Sequence, residues 1–137
     1  MPPGCPCGLP QPYDACCGRY HRGEPAPTAE RLMRARYSAF ALGSNSAESF
    51  LLDTWHPSTR PASAEFEPRR TWTGLRVLAT SGGGLFDAEG TVAFEASFRE
   101  GRRDGTQSEH SRFVREDGRW VYLGPFELRV SRDGTAH

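Results

Sequence analysis

The stretch GTVAFEASFRE, residues 90–100, alternates without a break: Val92, Phe94, Ala96 and Phe98 take one parity, and Ala93, Glu95, Ser97 and Arg99 take the other. Successive side chains of a strand point to opposite faces, so this stretch predicts a strand with one packed face and one polar face. Working outward, TWTGLRVLAT (71–80) precedes it, and GTQSEHSRFVRE (105–116) and GRWVYLGPFELRV (118–130) follow. Both β-rich composition and spacing predict strands there. Among the separators, Asp117-Gly118 has the chemistry of a tight hairpin, and SGGG (81–84) reads as a flexible hairpin loop.

Upstream, the period changes. TAERLMRARYSAFALG (28–43) places Met33, Tyr37, Phe40 and Ala41 at helical spacing beside Leu32, with Thr28 as N-cap, Glu30 in the first turn and Gly43 as the stop. NSAESFLLDTW (45–55) predicts a second helix, with Asn45 and Glu48 at capping-box spacing and Pro57 beyond its end. A helical turn over 64–67 is a further expectation. Helices followed by a four-strand meander predict an α+β domain in which helices pack on one face of a curved antiparallel sheet.

All four cysteines lie in the first seventeen residues, in CPCGLPQPYDACC (5–17). A chain of 137 residues supports one ordinary core, so residues 1–27 read as a small zinc knuckle with its connector, and 28–137 as the α+β domain. Formal charge is zero, with 17 basic and 17 acidic side chains, which argues against general nucleic-acid binding. No apolar run is long enough to span a bilayer, and MPPGCPCG lacks the features of a secretory signal. A cytoplasmic protein with no membrane association is therefore expected, and reduced thiols there favour metal over disulfides. The C-x-C-x8-C-C spacing suits four thiolates converging on Zn²⁺ as a closed, structural site, with Cys5, Cys7, Cys16 and Cys17 as ligands. A thioredoxin-type redox pair would need C-x-x-C in a βαβ context, and neither is present, while a vicinal Cys16–Cys17 disulfide would leave Cys5 and Cys7 unexplained.

These residues carry a resemblance. CPCGLPQPYDACCG resembles the SEC-C motif in Cys5, Pro6, Cys7, Gly8, Tyr13, Cys16, Cys17 and Gly18. RLMRARYSAF (31–40), TWHPS (54–58), WTGLRV (72–77) and SRFVREDGRWVY (111–122) resemble the YchJ family of bacterial proteins. The resemblance covers nearly the whole chain. It implies a nuclear transport factor 2-like (SnoaL-like) cone, with helices closing a curved sheet around a pocket. In SecA-like proteins the SEC-C element docks a chaperone and ribosomes. Here Gln11 and Pro12 stand where typical elements carry basic residues, and Asp14 follows Tyr13.

Arg36, Tyr37, Trp55, His56, Trp72, Glu95, His110 and Arg112 are the pocket candidates. In a functional reading His56 exchanges a proton, and Arg36 with Arg112 holds an anionic ligand. In the plainer reading His56 caps carbonyls, an arginine pairs with Glu95, and the tryptophans are core. The sequence holds no nucleophile-with-base pair, no phosphate-cradling loop and no open metal motif, so nothing in it decides whether the chain is an enzyme. It thus predicts a zinc-binding adaptor with a protein partner, or else a small-molecule-binding protein or enzyme using the cone. The Trp120 and Tyr122 alternation would suit a homodimer formed through the sheet.

Overall fold

The computed structural model describes residues 4–64, 66 and 68–132. A single 3-10 turn, Tyr13–Ala15, leads into α1 (Cys17–His21), α2 (Ala29–Leu42) and α3 (Asn45–Asp53). Four strands follow: β1 (Arg70–Gly82), β2 (Glu89–Glu100), β3 (Arg103–Glu116) and β4 (Arg119–Arg132). They form one antiparallel meander in the order β1-β2-β3-β4, with the helices packed on one face. This is the α+β arrangement that the alternating and helical periods predict. Residues 65 and 67 of the expected helical turn lie outside the described residues, and Ala64 and Phe66 belong to no regular element.

Local chemistry explains most boundaries. Thr28 Oγ1 accepts from Arg31 N at 3.1 Å, and Gly43 closes α2 in the left-handed region, with its N–H donating to Ala39 O. The α3 cap is Ser44, which accepts from Ala47 N, one residue before the expected Asn45. Glu48 is consequently not part of a capping box; its carboxylate accepts instead from Ala64 N at 3.1 Å. Asp117 (φ 52°) and Gly118 (φ 81°) make the tight β3–β4 turn. The SGGG segment is fastened rather than flexible. Gly83 O accepts from Ala29 N, an otherwise orphaned donor at the start of α2, and Arg115 donates to the carbonyls of Gly84, Leu85 and Asp87.

The sheet's inner face follows from the β2 parity. Directly paired residues share a face, so Phe94↔Glu109, Ala96↔Gln107 and Phe98↔Gly105 put Gln107 and Glu109 inside with the β2 aromatics. Register shifts at Trp72/Gly74 and Val77/Ala79 in the β1–β2 ladder, and at His110/Ser111 and Arg112/Phe113 in the β3–β4 ladder, are places where strands bend and twist more strongly. Leu32, Ala35, Leu51, Val92 and Phe113 are at most 2 % exposed in one continuous core. Burying each large side chain contributes roughly 1.5–3 kcal/mol.

Gly105 shows how tightly the sheet face is filled. A Cβ there would lie 2.4 Å from Phe98 Cζ and 2.9 Å from Ser131 O. Gly105→Ala is expected to cost about 1–3 kcal/mol through overpacking. A urea midpoint unchanged from wild type would show that Phe98 has room to move.

Candidate functional site

The cysteine element is built by short-range turns. Cys5 N donates to Gln11 O, Gly8 N donates to Cys5 O, and Gly8 sits at φ 95°, which turns the chain back between the first pair and the second. Gly18 is required by space, since a Cβ would fall 2.8 Å from Tyr13 O. The result brings the four Sγ atoms of Cys5, Cys7, Cys16 and Cys17 within 4.8 Å of one another, with all four residues buried. Sulfurs at ~2.3 Å from a tetrahedral ion stand about 3.8 Å apart. Cys7 Sγ and Cys16 Sγ lie 3.7 Å apart, so the donor set fits such an ion in type, number and spacing. Burial and the neighbouring sulfurs push the Cys16 thiol up to about 11, and Cys17 Sγ is raised further by its contacts with Cys5 and Cys7. Cys5, which accepts from Cys17 and Cys7, is drawn well down. Like charges this close disfavour one another, so a cation among the sulfurs would favour their ionised form.

The element does not hang free. Cys5 Sγ lies 3.6 Å from Ser38 Oγ, and Arg34 Nη1 donates to Cys7 O at 2.9 Å. His21 Nε2 donates to Ala35 O at 2.8 Å, so its Nδ1 accepts from the Tyr13 hydroxyl at 2.5 Å, and its ring packs on Phe50. These contacts seat the cysteines on α2 within the main core. Arg19 and Arg22 of the same element pair locally with Glu24 and Asp14.

Burial lowers the His21 pKa below the ordinary imidazole value, with Ala35 O opposing. The folded protein therefore holds it neutral, while the unfolded chain takes up a proton near pH ~6.5. Its contribution is complete above that pH and is lost as pH falls below it. An NMR titration of the His21 ring should give a midpoint below 6.5. A midpoint at or above 6.5 would contradict this packing.

The second feature is a cavity of about 300 Å³ between α2, the α3 exit and the inner sheet face. Arg36, Tyr37, Trp55 and Trp72 line it, together with Met33, Phe40, Phe66, Phe94 and Phe113. Arg36 occupies a sheet-facing position in the apolar stripe of α2 and is only 6 % exposed. Its Nη1 donates to Leu51 O and Thr54 Oγ1, both at 2.8 Å, and its guanidinium stacks over Trp55 and Tyr122 at 4.9 and 4.5 Å. Desolvation lowers its pKa to about 10, opposed by Tyr122 and Glu109, so it stays cationic at neutral pH. The Tyr122 hydroxyl donates to Glu109 Oε2 at 2.7 Å, and Ser111 Oγ donates to the same oxygen. Burial, then Glu109, raises the Tyr122 pKa far above its usual value, keeping it a donor, and burial pushes Tyr37 up to about 12. The buried indole N–H of Trp55 has no acceptor among the described residues.

The other four candidates lie elsewhere. Glu95 is on the outer sheet face, paired with Arg76 at 2.7 Å, because its parity is opposite to that of Phe94 and Ala96. His110 and Arg112 share that outer face and stack on Phe126 at 5.0 and 4.8 Å. His56 N donates to Tyr122 O, extending a bridge between the α3 exit and β4. Its ring accepts from Ser58 at Nδ1 and meets Glu116 through Nε2 at 3.1 Å, so it fastens a turn outside the cavity. An anion held by Arg36 and Arg112 together is therefore not what this cavity can offer. Trp120 and Tyr122 also point inward, Trp120 at 2 % exposure, so neither is presented to a second copy. Arg70, Gln107, Glu109, Ser111 and Tyr122 are polar lining residues absent from the eight candidates. For Gln107, Glu109 and Ser111 on β3, the inward face follows from the two-residue turn that sets Glu100 opposite Arg103.

Among the described residues no helix is long and apolar enough to cross a membrane. A family model described as the middle NTF2-like domain of YchJ matches residues 28–125. A UPF0225 protein of Streptomyces avermitilis is 53 % identical over 124 residues, covering 90 % of this chain and 84 % of the relative. A UPF0225 protein of Corynebacterium efficiens is 52 % identical over 119 residues, covering 86 % and 88 %. The solution structure of a SEC-C motif containing protein from Rhodopseudomonas palustris aligns with TM-score 0.74 at 32 % identity, covering 94 % of this chain and 98 % of that one. A crystal structure of a SEC-C motif containing protein from Psychrobacter arcticus aligns with TM-score 0.71 at 28 % identity, covering 89 % and 81 %. By sequence and by fold, the chain belongs to the YchJ family, an NTF2-like domain preceded by a SEC-C cysteine element.

Proposed function

We propose that the protein binds a small molecule in its cone cavity, and that Cys5, Cys7, Cys16 and Cys17 hold one structural Zn²⁺ ion that clamps the SEC-C element to α2. The observation that carries the first part is the cavity itself: about 300 Å³, walled by aromatics, with Arg36 and Glu109 at its polar floor. Concave, largely apolar sites with a few convergent polar groups are the usual form of ligand pockets. The second part rests on the chemistry and spacing of the four sulfurs. When bound, the metal would set two positive charges among the four sulfurs and favour their thiolate form; a four-thiolate site keeps no open position, so its role is structural.

The test is saturable binding of an uncharged naphthalene, read from the fluorescence of Trp55 and Trp72. Wild type should respond and Ala96→Phe, which fills the cavity from β2, should not. No saturable response in folded wild-type protein would defeat the reading.

A protein-docking role draws on a different observation. Leu85 and Phe86 are 61 % and 99 % exposed on the loop that Arg115 holds in place, whereas Tyr13, Arg19 and Arg22 of the SEC-C element are engaged within the chain. Exposed aromatics on a held loop suit an interface anchor. If this reading is right, a partner recovered with wild type is lost with Phe86→Ser; equal recovery with both sinks it.

A further inference from the structure

The polar groups at the cavity floor are incompletely used. Glu109 Oε2 receives both the Tyr122 and Ser111 hydroxyls, while Oε1 meets no donor among the described residues. Arg36 spends only Nη1 on protein acceptors; Nε and Nη2 have none among the described residues. Trp55 Nε1 is the one side-chain polar atom among the described residues that is both sealed off and unpartnered, which leaves Glu109 Oε1 and the remaining Arg36 donors reachable from the cavity. A free acceptor and free donors thus face the same space.

The charges select further. Arg36 and Glu109 cancel at the floor. At the rim, the Arg70 guanidinium makes a two-pronged contact with Glu100 at 3.0 Å, so that pair also cancels. An anionic ligand would meet Glu109 and a cationic one Arg36, each desolvated on entry, and neither charge would find an unopposed partner. The walls are aromatic: Phe40 and Phe66 edge-to-face at 5.9 Å, Tyr37 and Trp72 at 6.0 Å, and Phe94 from the sheet. Ring systems pack on such surfaces in offset or edge-to-face contact.

We infer that the cavity takes an uncharged aromatic ligand carrying a hydroxyl or amide group, which donates to Glu109 Oε1 and accepts from the free N–H groups of Arg36. This rests on the reading of the cavity as a small-molecule site and narrows it to a ligand class.

The experiment is equilibrium dialysis of the full chain at neutral pH against 2-naphthol, 2-methoxynaphthalene and 2-naphthoate. 2-Naphthol should bind about tenfold or more tightly than either of the others, the difference expected from one buried hydrogen bond to a charged group. Glu109→Gln places an amide N–H₂ where Oε1 stood and should abolish the preference for 2-naphthol over 2-methoxynaphthalene. Equal affinity for 2-naphthol and 2-methoxynaphthalene would overturn the ligand class while leaving the cavity as a binding site. Preference for 2-naphthoate would overturn the charge argument. Failure of all three to bind would remove the small-molecule reading, and this inference with it.

Discussion

With zinc held as proposed, its chelation, or Cys7→Ser, is expected to lower the melting temperature by more than about 10 °C and to release residues 4–27 from α2. Structural zinc in small peptides contributes on the order of 10 kcal/mol at neutral pH, part of which is spent ordering the chain around it. The rest is felt by the whole fold here, because Cys7 and Cys17 are at most 1 % exposed and sit in the same core as Leu32, Ala35 and Phe50. Losing a few kcal/mol from a domain of this size shifts the transition by several degrees per kcal/mol. Hydrogen exchange should locate the effect: faster exchange over residues 5–21 and in the α2 turn around Ala35 and Ser38, with the central strands β2 and β3 least affected. A chelated, metal-free protein that melts at the original temperature would show that thiol packing alone holds the element.

Trp120→Ala is expected to cost about 3–5 kcal/mol, the range for truncating a buried aromatic. Trp120 pairs with Arg115 across the β3–β4 ladder and lies under its guanidinium at 4.6 Å. Its Nε1 donates to Pro27 O at 3.3 Å, so one side chain joins the last strand, the 84–87 loop held by Arg115, and the connector that leads from the cysteines to α2. Trp120→Phe keeps most of the packing and removes that hydrogen bond, and should cost only about 1 kcal/mol of it beyond the lost volume. Urea unfolding of the two variants separates the contributions. If Ala and Phe prove equally mild, the indole is not the joint between connector and sheet.

The strand parity of 90–100, the helical stripe of 28–43 and the Asp117-Gly118 turn are local signals, and they carried the meander and the helix placement directly. What the sequence left open was which face each β3 residue takes. His110 and Arg112 are chemically eye-catching, but the register set by the Gly101-Arg102 turn puts their neighbours Glu109 and Ser111 inside. Arg36 was legible as a charged residue in an apolar stripe, whereas its anchors, Leu51 O and Thr54 Oγ1, belong to the next helix and depend on how α2 and α3 pack. His56 shows the same limit: TWHPS marks a helix exit, but the bridge from that exit to Tyr122 is a tertiary pairing that no local pattern encodes. The four cysteines were readable as one donor set from spacing alone, while their seating against Ser38 and Arg34 was not.

The most direct test of this account is the metal content of protein purified without added metal, measured together with its reactive thiols. One zinc per chain and four thiols that react only after chelation are the expected result. Metal-free protein with Cys16 and Cys17 oxidised to a disulfide would contradict it.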